Sequence, residues 1–215
     1  MSKFVFVTPK EYEPVLQELR KIIQAVHKIL KDWRVCTFND VLIGSGEQGL
    51  VTNDIEGNKG FDFDFNLDIV KVFRGFGTCD EEDEYSFTAK DLKLAFIDAF
   101  DEALKGTNYE HPKDSTSVIT IKVIDFKKSK ILYGADFAII DDGEIIKHDK
   151  KAKSYYFNAK PNGISEYDKI QKIKKDNLWN EYRARYLEKK NSDYTKKSSS
   201  IRRETTNDIW TKYYQ

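Results

Sequence analysis

From Phe61 to Ile69 apolar and polar residues alternate without a break, with Phe61, Phe63, Phe65, Leu67 and Ile69 set against Asp62, Asp64, Asn66 and Asp68. Successive side chains of a strand point to opposite faces. The pattern therefore predicts a strand, running on to about Phe73, with one apolar face and one face of three carboxylates and an amide. Other stretches follow the helical period. Thr8 to Trp33 spaces Val15, Leu16, Leu19, Ile22, Ile23, Val26, Ile29 and Leu30 along one face. Thr8 is placed to cap it, with Pro9 at the first helical position and Glu11 reaching back. Thr88 to Leu104 repeats the design, with Leu92, Leu94, Ala95, Phe96, Ala99, Phe100 and Leu104 as its apolar set and Gly106 as its stop.

Between these elements the chain reads as strands and turns. Val35 to Ile43 predicts a short strand, broken by Gly44-Ser45-Gly46. Thr52 to Gly60 reads as a polar loop, and Cys79 to Glu84 as an acidic one. Ser117 to Phe126 and Lys130 to Ile140 predict two further strands, and Asp142-Gly143 a hairpin turn. Ile145-Ile146 and Ser154 to Phe157 extend the strand pattern, and Pro161-Asn162-Gly163 is a turn. Ile164 to Lys190 reads as one charged helix with Ile170, Ile173, Trp179 and Leu187 on its apolar side. Asn191 to Arg203 is polar and expected to be flexible, and Thr205 to Tyr214 to form a last short helix carrying Trp210. The order helix, strand, break, strand, helix, strand, strand, helix predicts an α+β (mixed α/β) fold, a mixed sheet with helices on one side. The expected division is residues 1–160 around the sheet and 161–215 as a C-terminal helical segment.

Composition narrows the class. The 215 residues, 40% hydrophobic and 13% aromatic, suffice for a sizeable core. No apolar run approaches the roughly 20 residues of a bilayer span, and Met1-Ser2-Lys3 opens no signal-peptide pattern. Cys36 and Cys79 make neither a disulfide framework nor a metal-ligand spacing. The expectation is a reduced, cytoplasmic protein. Net charge is zero but unevenly placed: the part after Glu144 carries roughly nine more basic than acidic side chains, and the part before it the reverse.

The acidic face carries the candidate chemistry. Asp62 and Asp64 are separated by roughly 6.6 Å along a strand, so both carboxylates can lean toward one site. Side chains of like charge on one face call for a counter-charge, and hard divalent cations take oxygen ligands. Asp136 is the third candidate ligand, in the otherwise uncharged strand segment Tyr133-Gly134-Ala135-Asp136-Phe137-Ala138-Ile139-Ile140. A carboxylate there is costly unless paired or bound to metal. Three carboxylates can hold two Mg²⁺ ions about 3.5–4 Å apart. Gly44-Ser45 follows the apolar Val41-Leu42-Ile43, and small residues let backbone N–H groups and the Ser hydroxyl approach a phosphate.

Taken together in this order, Gly44-Ser45, Asp62-Phe63-Asp64 and Asp136 resemble the DNA polymerase beta-like nucleotidyltransferase superfamily. That pattern is a Gly-Ser motif, an acidic-hydrophobic-acidic strand and a third acid on a later strand. Ala135-Asp136-Phe137-Ala138-Ile139 also looks like the third-acid strand of bacterial relatives in the oligoadenylate and cyclic-nucleotide synthase branch. The resemblance covers roughly residues 35–160. It implies a mixed-sheet palm and an NTP substrate held through Mg²⁺ or Mn²⁺. Asp62, Asp64 and Asp136 are implied as catalytic and metal-binding residues, and Gly44 and Ser45 as nucleotide-binding. The implied reaction is transfer of a nucleotidyl group to an acceptor hydroxyl with release of pyrophosphate. The acceptor stays open among nucleotide, RNA, protein and small molecule.

Other readings compete. The alternating strand could present a solvated face, although Asp is a poor strand former and solvated faces mix charge signs. An EF-hand is imitated by Asp62, Asp64 and Asn66 but fails at Leu67 and Phe73, where Gly and Glu are required. Asn66 and Asp68 are expected to support the site or be solvated. His27, His111 and His148 lack spaced partners, so no zinc is expected. Asp80 to Glu84 reads as a solvated loop. Tyr155 and Tyr156 fit core packing or a base stack. Lys169, Lys172, Lys174 and Lys175 are candidates to face a triphosphate. A catalytically idle binding module on the same fold, such as an antitoxin, is the alternative of another class.

Overall fold

The computed structural model describes residues 3–73, 88–147, 150–153 and 164–215. Strand β1 (Phe4–Phe6) leads into helix α1 (Pro9–Asp32). Pro9 opens the helix, where no amide hydrogen is required, and the Thr8 backbone N–H donates to Glu11 Oε2 at 2.8 Å. Its buried stripe is Val15, Leu19, Ile22, Ile23, Val26 and Leu30. Leu16 and Ile29 lie partly buried against the same core. Then come β2 (Cys36–Ile43), the one-turn helix α2 (Gly44–Gln48), β3 (Thr52–Asp54) and the long strand β4 (Phe61–Val72). Helix α3 (Ala89–Leu104) is capped by Thr88, whose Oγ1 accepts from the Asp91 N–H at 3.1 Å. Strands β5 (Lys113–Asp114), β6 (Ile119–Asp125), β7 (Lys130–Asp141), β8 (Glu144–Lys147) and β9 (Lys150–Lys153) follow. Helices α4 (Glu166–Lys175), α5 (Trp179–Ser192) and α6 (Ser198–Tyr214) complete the order.

One mixed sheet organises the molecule. Its strands run β2-β4-β7-β6-β5, with β8 paired to the end of β7 and β9 to β8. β4 and β7 are parallel neighbours. Parallel strands need a crossover, and α3 with β5 and β6 provides the intervening chain. The apolar face of β4 joins Ala135, Phe137 and Ile139 of β7 and Ile119, Ile121 and Val123 of β6 in one core with the buried faces of α1 and α3. Aromatic rings knit it together: Phe65 stacks on Phe137 at 5.5 Å between centroids, and Phe100 meets Phe137 at 4.6 Å. A second apolar cluster gathers Leu50, Ile170, Ile173, Tyr182, Tyr186, Ile201 and Ile209, with Phe6 against it.

Several expectations need correcting. The stretch read as a loop, Thr52 to Gly60, begins with β3, which pairs antiparallel with the unforeseen β1. Each strand has only three residues, too few for a periodic signal. Gly44-Ser45-Gly46 is a helical turn rather than a bare break. The single helix expected over residues 164–190 is two helices, separated at Asn177 with φ 60°, a left-handed conformation that Asn tolerates better than most residues. The segment expected to be flexible, Asn191 to Arg203, contains the start of α6, and Ile201 is fully buried. Leu94, assigned to the apolar face of α3, is exposed, while Lys93 is buried and pairs with Asp114 at 2.6 Å. Helices flank both faces of the sheet rather than one, because α5 and α6 reach the carboxylate side. The readings of Cys79 to Glu84, Cys79, Asp80 to Glu84, His148, Ser154 to Phe157, Tyr155, Tyr156 and Pro161-Asn162-Gly163 fall outside the described residues.

Phe137 is fully buried and meets two rings of the core, Phe65 and Phe100. Replacing Phe137 by Ala is expected to cost about 3–5 kcal/mol, read as a fall in the urea midpoint with far-UV circular dichroism unchanged before the transition.

Candidate active site

The alternation of β4 places its side chains as the pattern requires. Phe61, Phe63, Phe65 and Leu67 are buried toward α1 and α3, so Asp62, Asp64, Asn66 and Asp68 share the other face. In the parallel pairing with β7, Asp64 lies beside Asp136 and Asp62 beside Gly134. Register partners in neighbouring strands point to the same side, so Asp62, Asp64 and Asp136 stand on one face. Gly134 has no side chain between Asp62 and the strand behind it. A Cβ there would come within 2.7 Å of the Ile121 carbonyl oxygen.

The antiparallel pairing of β2 with β4 ends with Ile43 opposite Asp64. The chain then turns into α2 beside that carboxylate. Gly44 has φ +73°, and a Cβ on it would lie 2.7 Å from Asp64 Oδ2. Only glycine combines that conformation with so close an approach. Gly46 approaches Phe63 in the same way on the other side of the strand, with 2.8 Å from a Cβ to Phe63 Cδ1. Ser45, half-buried, lies in the turn between them. The structure thus brings Gly44, Ser45, Asp62, Asp64 and Asp136 to one region.

The electrostatics are those of crowded anions. Burial, with Asp62 and Asp136 alongside, pushes Asp64 up to about 7. Asp62 is raised above its ordinary value by burial and by Asp136, against a downward pull from Lys190 and Lys59. Asp62 is nonetheless reachable by solvent, since it lies in the wall of an open cavity. Thr120 Oγ1 donates to Asp136 Oδ1 at 2.5 Å and orients that carboxylate. Arg202 of α6 offsets part of the charge on Asp64 while its Nε donates to Glu166 at 2.8 Å. Among the described residues, no three His, Cys, Asp or Glu side chains close tightly enough to enclose a cation as they stand.

The remaining candidates fall elsewhere. Asn66 is buried rather than solvated. Asp68 is half-buried, raised by that burial, and its Oδ1 is shielded from water without a hydrogen bond among the described residues. Lys169 lies 5.4 Å over Trp210, Lys172 pairs with Asp176 at 3.0 Å, and Lys175 is exposed. Lys174 donates to the carbonyl and Oε1 of Gln48, at the end of α2. None of the four lines the cavity at the carboxylates. His27 packs on Phe38, and His111 pairs with Asp101 at the surface.

The residue that sequence reading missed is Lys190, in the last turn of α5. Its ammonium donates to Thr52 Oγ1 at 2.7 Å and Ser198 Oγ at 2.9 Å, and lies 4.7 Å over Phe4. Burial lowers its pKa and Asp62 partly restores it. It also overlies the Tyr186 ring at 5.8 Å, but Lys189 stands three residues from Tyr186 as Lys190 stands four, so no local signal separated it from its lysine neighbours.

No family model and no curated protein matches the chain. Solved structures do. CD-NTase CdnG of Bradyrhizobium diazoefficiens, in complex with GTP, is similar over 71% of this chain at 14% identity and TM-score 0.46. The cyclic AMP-GMP synthase DncV of Vibrio cholerae, in complex with nonhydrolyzable GTP, is similar over 73% at 12% identity and TM-score 0.39. The 3′-deoxy ATP bound form of DncV is similar over 79% at 15% identity and TM-score 0.37. The matched region spans 41% or 42% of the length of those chains.

Proposed function

We propose that this chain is a divalent-cation-dependent nucleotidyltransferase that moves a nucleotidyl group from an NTP to an acceptor hydroxyl. The observation that carries the reading is the register that sets Asp64 beside Asp136, with Asp62 on the same face and the Gly44 backbone against Asp64. Three neighbouring carboxylates, one of them pushed up to about 7 by burial and by the other two, fit a hard cation, which supplies the charge they lack. Asp62, Asp64 and Asp136 would hold Mg²⁺ or Mn²⁺. Bound there, such a cation neutralises phosphate charge and lowers the pKa of a ligated hydroxyl.

The chain's own groups have distinct roles in this reading. Gly44 brings its backbone, and Ser45 its hydroxyl, to the terminal phosphates of the NTP. Asp136, with one oxygen held by Thr120, has the other to accept the proton of the attacking hydroxyl. The acceptor oxygen bonds to the α-phosphorus as the bond from that phosphorus to the bridging oxygen breaks, and the electron pair departs with pyrophosphate. Attacking and leaving oxygens are in line, so acceptor and pyrophosphate occupy opposite sides of the carboxylates. Catalysis is positioning and charge stabilisation.

The direct test is incubation of the chain with each NTP, Mg²⁺ or Mn²⁺ and candidate acceptors, with pyrophosphate measured and the acceptor weighed by mass spectrometry. Pyrophosphate and a nucleotidyl mass increment are expected, and Asp62→Ala or Asp64→Ala should lower the rate at least about 100-fold, as loss of a cation ligand does to transition-state charge stabilisation. NTP-dependent thermal stabilisation without turnover would instead identify an idle binding module.

A second expectation concerns pH. Asp64 binds its proton more tightly in the folded chain than in the unfolded one, so its contribution to stability is complete below about pH 4 and is lost as pH rises toward 7. Without divalent cation, the melting temperature should fall over that window, and Asp64→Asn should flatten the fall and melt higher at pH 8. Because proton and cation compete for Asp64, stabilisation by Mn²⁺ should grow with pH up to about 7 and then level off, as read by differential scanning fluorimetry.

A further inference from the structure

Beside the carboxylates lies an open cavity of about 380 Å³ between the sheet and the C-terminal helices. Asp62 and Asp136 form part of its wall, whereas Gly44, Ser45 and Asp64 do not line it. The carboxylate cluster thus has two sides: the Gly44-Ser45 corner on one, this cavity on the other. In the transfer proposed above, pyrophosphate leaves toward Gly44 and Ser45, so the acceptor approaches from the cavity.

The cavity is strongly basic. Lys59, Lys122, Lys190, Lys196 and Lys197 line it, drawn from the β3–β4 connection, β6, α5 and the turn into α6. Lys196 pairs with Glu204 at 2.6 Å. Among the described residues Lys59, Lys122 and Lys197 enter no ion pair. Lys190 is anchored from below by Thr52 and Ser198. Among the described residues the two aspartates of the wall are the only acids in it, and a bound cation would take up their charge. A cationic acceptor is then repelled and a neutral one leaves the ammonium groups unmatched. Lysine is a point-charge donor suited to phosphate oxygens, while planar carboxylates are the usual partners of arginine forks. Phe4, Ile131 and Tyr194 add apolar and aromatic surface to the wall. The volume falls at the lower end of small-molecule sites.

We propose that this cavity binds the acceptor, and that the acceptor is a small phosphate ester of mononucleotide size. Its phosphate lies among Lys59, Lys122, Lys190 and Lys197, its apolar moiety lies on the aromatic wall, and its hydroxyl faces Asp62 and Asp136. The hydroxyl oxygen forms the new bond to the α-phosphorus of the donor, its proton passes to Asp136, and pyrophosphate leaves on the far side. The name acceptor rests on the transferase reading; the phosphate site rests on the cavity alone.

Isothermal titration of the full chain, with chelator present and no NTP, separates the two. Nucleoside 5′-monophosphates are the probes, with their parent nucleosides, a serine-containing peptide, an aminoglycoside and a short oligoribonucleotide as comparisons. The monophosphate should bind at least 10-fold tighter than its nucleoside, with the difference shrinking as salt rises. Lys122→Gln and Lys197→Gln should each weaken the monophosphate about 3- to 10-fold and leave nucleoside affinity and melting temperature unchanged; Lys190→Gln should weaken it most. Equal affinity for nucleoside and monophosphate, tighter binding of the peptide or aminoglycoside, or indifference to Lys122 and Lys197 would overturn the proposal. An oligoribonucleotide bound 10-fold better than the monophosphate would overturn the small-molecule assignment. Phosphate-selective binding by a chain that releases no pyrophosphate from any NTP overturns the transferase reading alone. Pyrophosphate release without that selectivity overturns the phosphate site alone.

Discussion

Everything at the candidate site depends on one register: β4 and β7 run parallel with Asp64 beside Asp136. That pairing sets like charges against each other in a buried place, and burial first, then Asp62 and Asp136, push Asp64 up to about 7. The apolar side of the same two strands holds it in place. Phe65 stacks on Phe137, and Phe100 closes over Phe137 from α3. A slip of one residue would turn every apolar side chain of β4 to the wrong face, so the packing of one face fixes the geometry of the other.

The charge asymmetry of the chain becomes spatial at this point. The acidic strands come from its first part, and the cations that approach them come largely from its last. Lys190 of α5 faces Asp62 and Arg202 of α6 faces Asp64. Their placement depends on a junction of the chain's two ends. The Asn191 side chain accepts from the Phe4 N–H at 2.7 Å and donates to the Phe4 carbonyl at 3.0 Å. Phe6 stacks on Tyr186. The short β1–β3 ribbon therefore acts as a bracket for α5, and Thr52 of that ribbon takes a hydrogen bond from Lys190.

Legibility in the sequence followed from the length and period of each element. β4, α1 and α3 were readable because their patterns repeat several times, and their caps are local chemistry: Thr8 with Glu11, and Thr88 with Asp91. β1 and β3, at three residues each, carry no period. The break at Asn177 was hidden because lysines continue on both sides of it. Lys93 looked like a solvated charge and Leu94 like core; the partner that reversed them, Asp114, lies on another element. Lys190 was hidden among lysines of the same kind, and only Thr52, Ser198 and Phe4, distant in the chain or beyond its helix, set it apart.

The sequence by itself determined which face of β4 is acidic, that Asp136 is a costly charge in an apolar strand, and that glycine stands at position 44. These are consequences of backbone period and side-chain chemistry, which act over a few residues. Tertiary structure alone decided that the three carboxylates share a face, that Gly44 abuts Asp64, and that a basic cavity opens on the other side. Those outcomes come from strand pairing and helix docking between segments far apart in the chain, where no local pattern carries information about the partner.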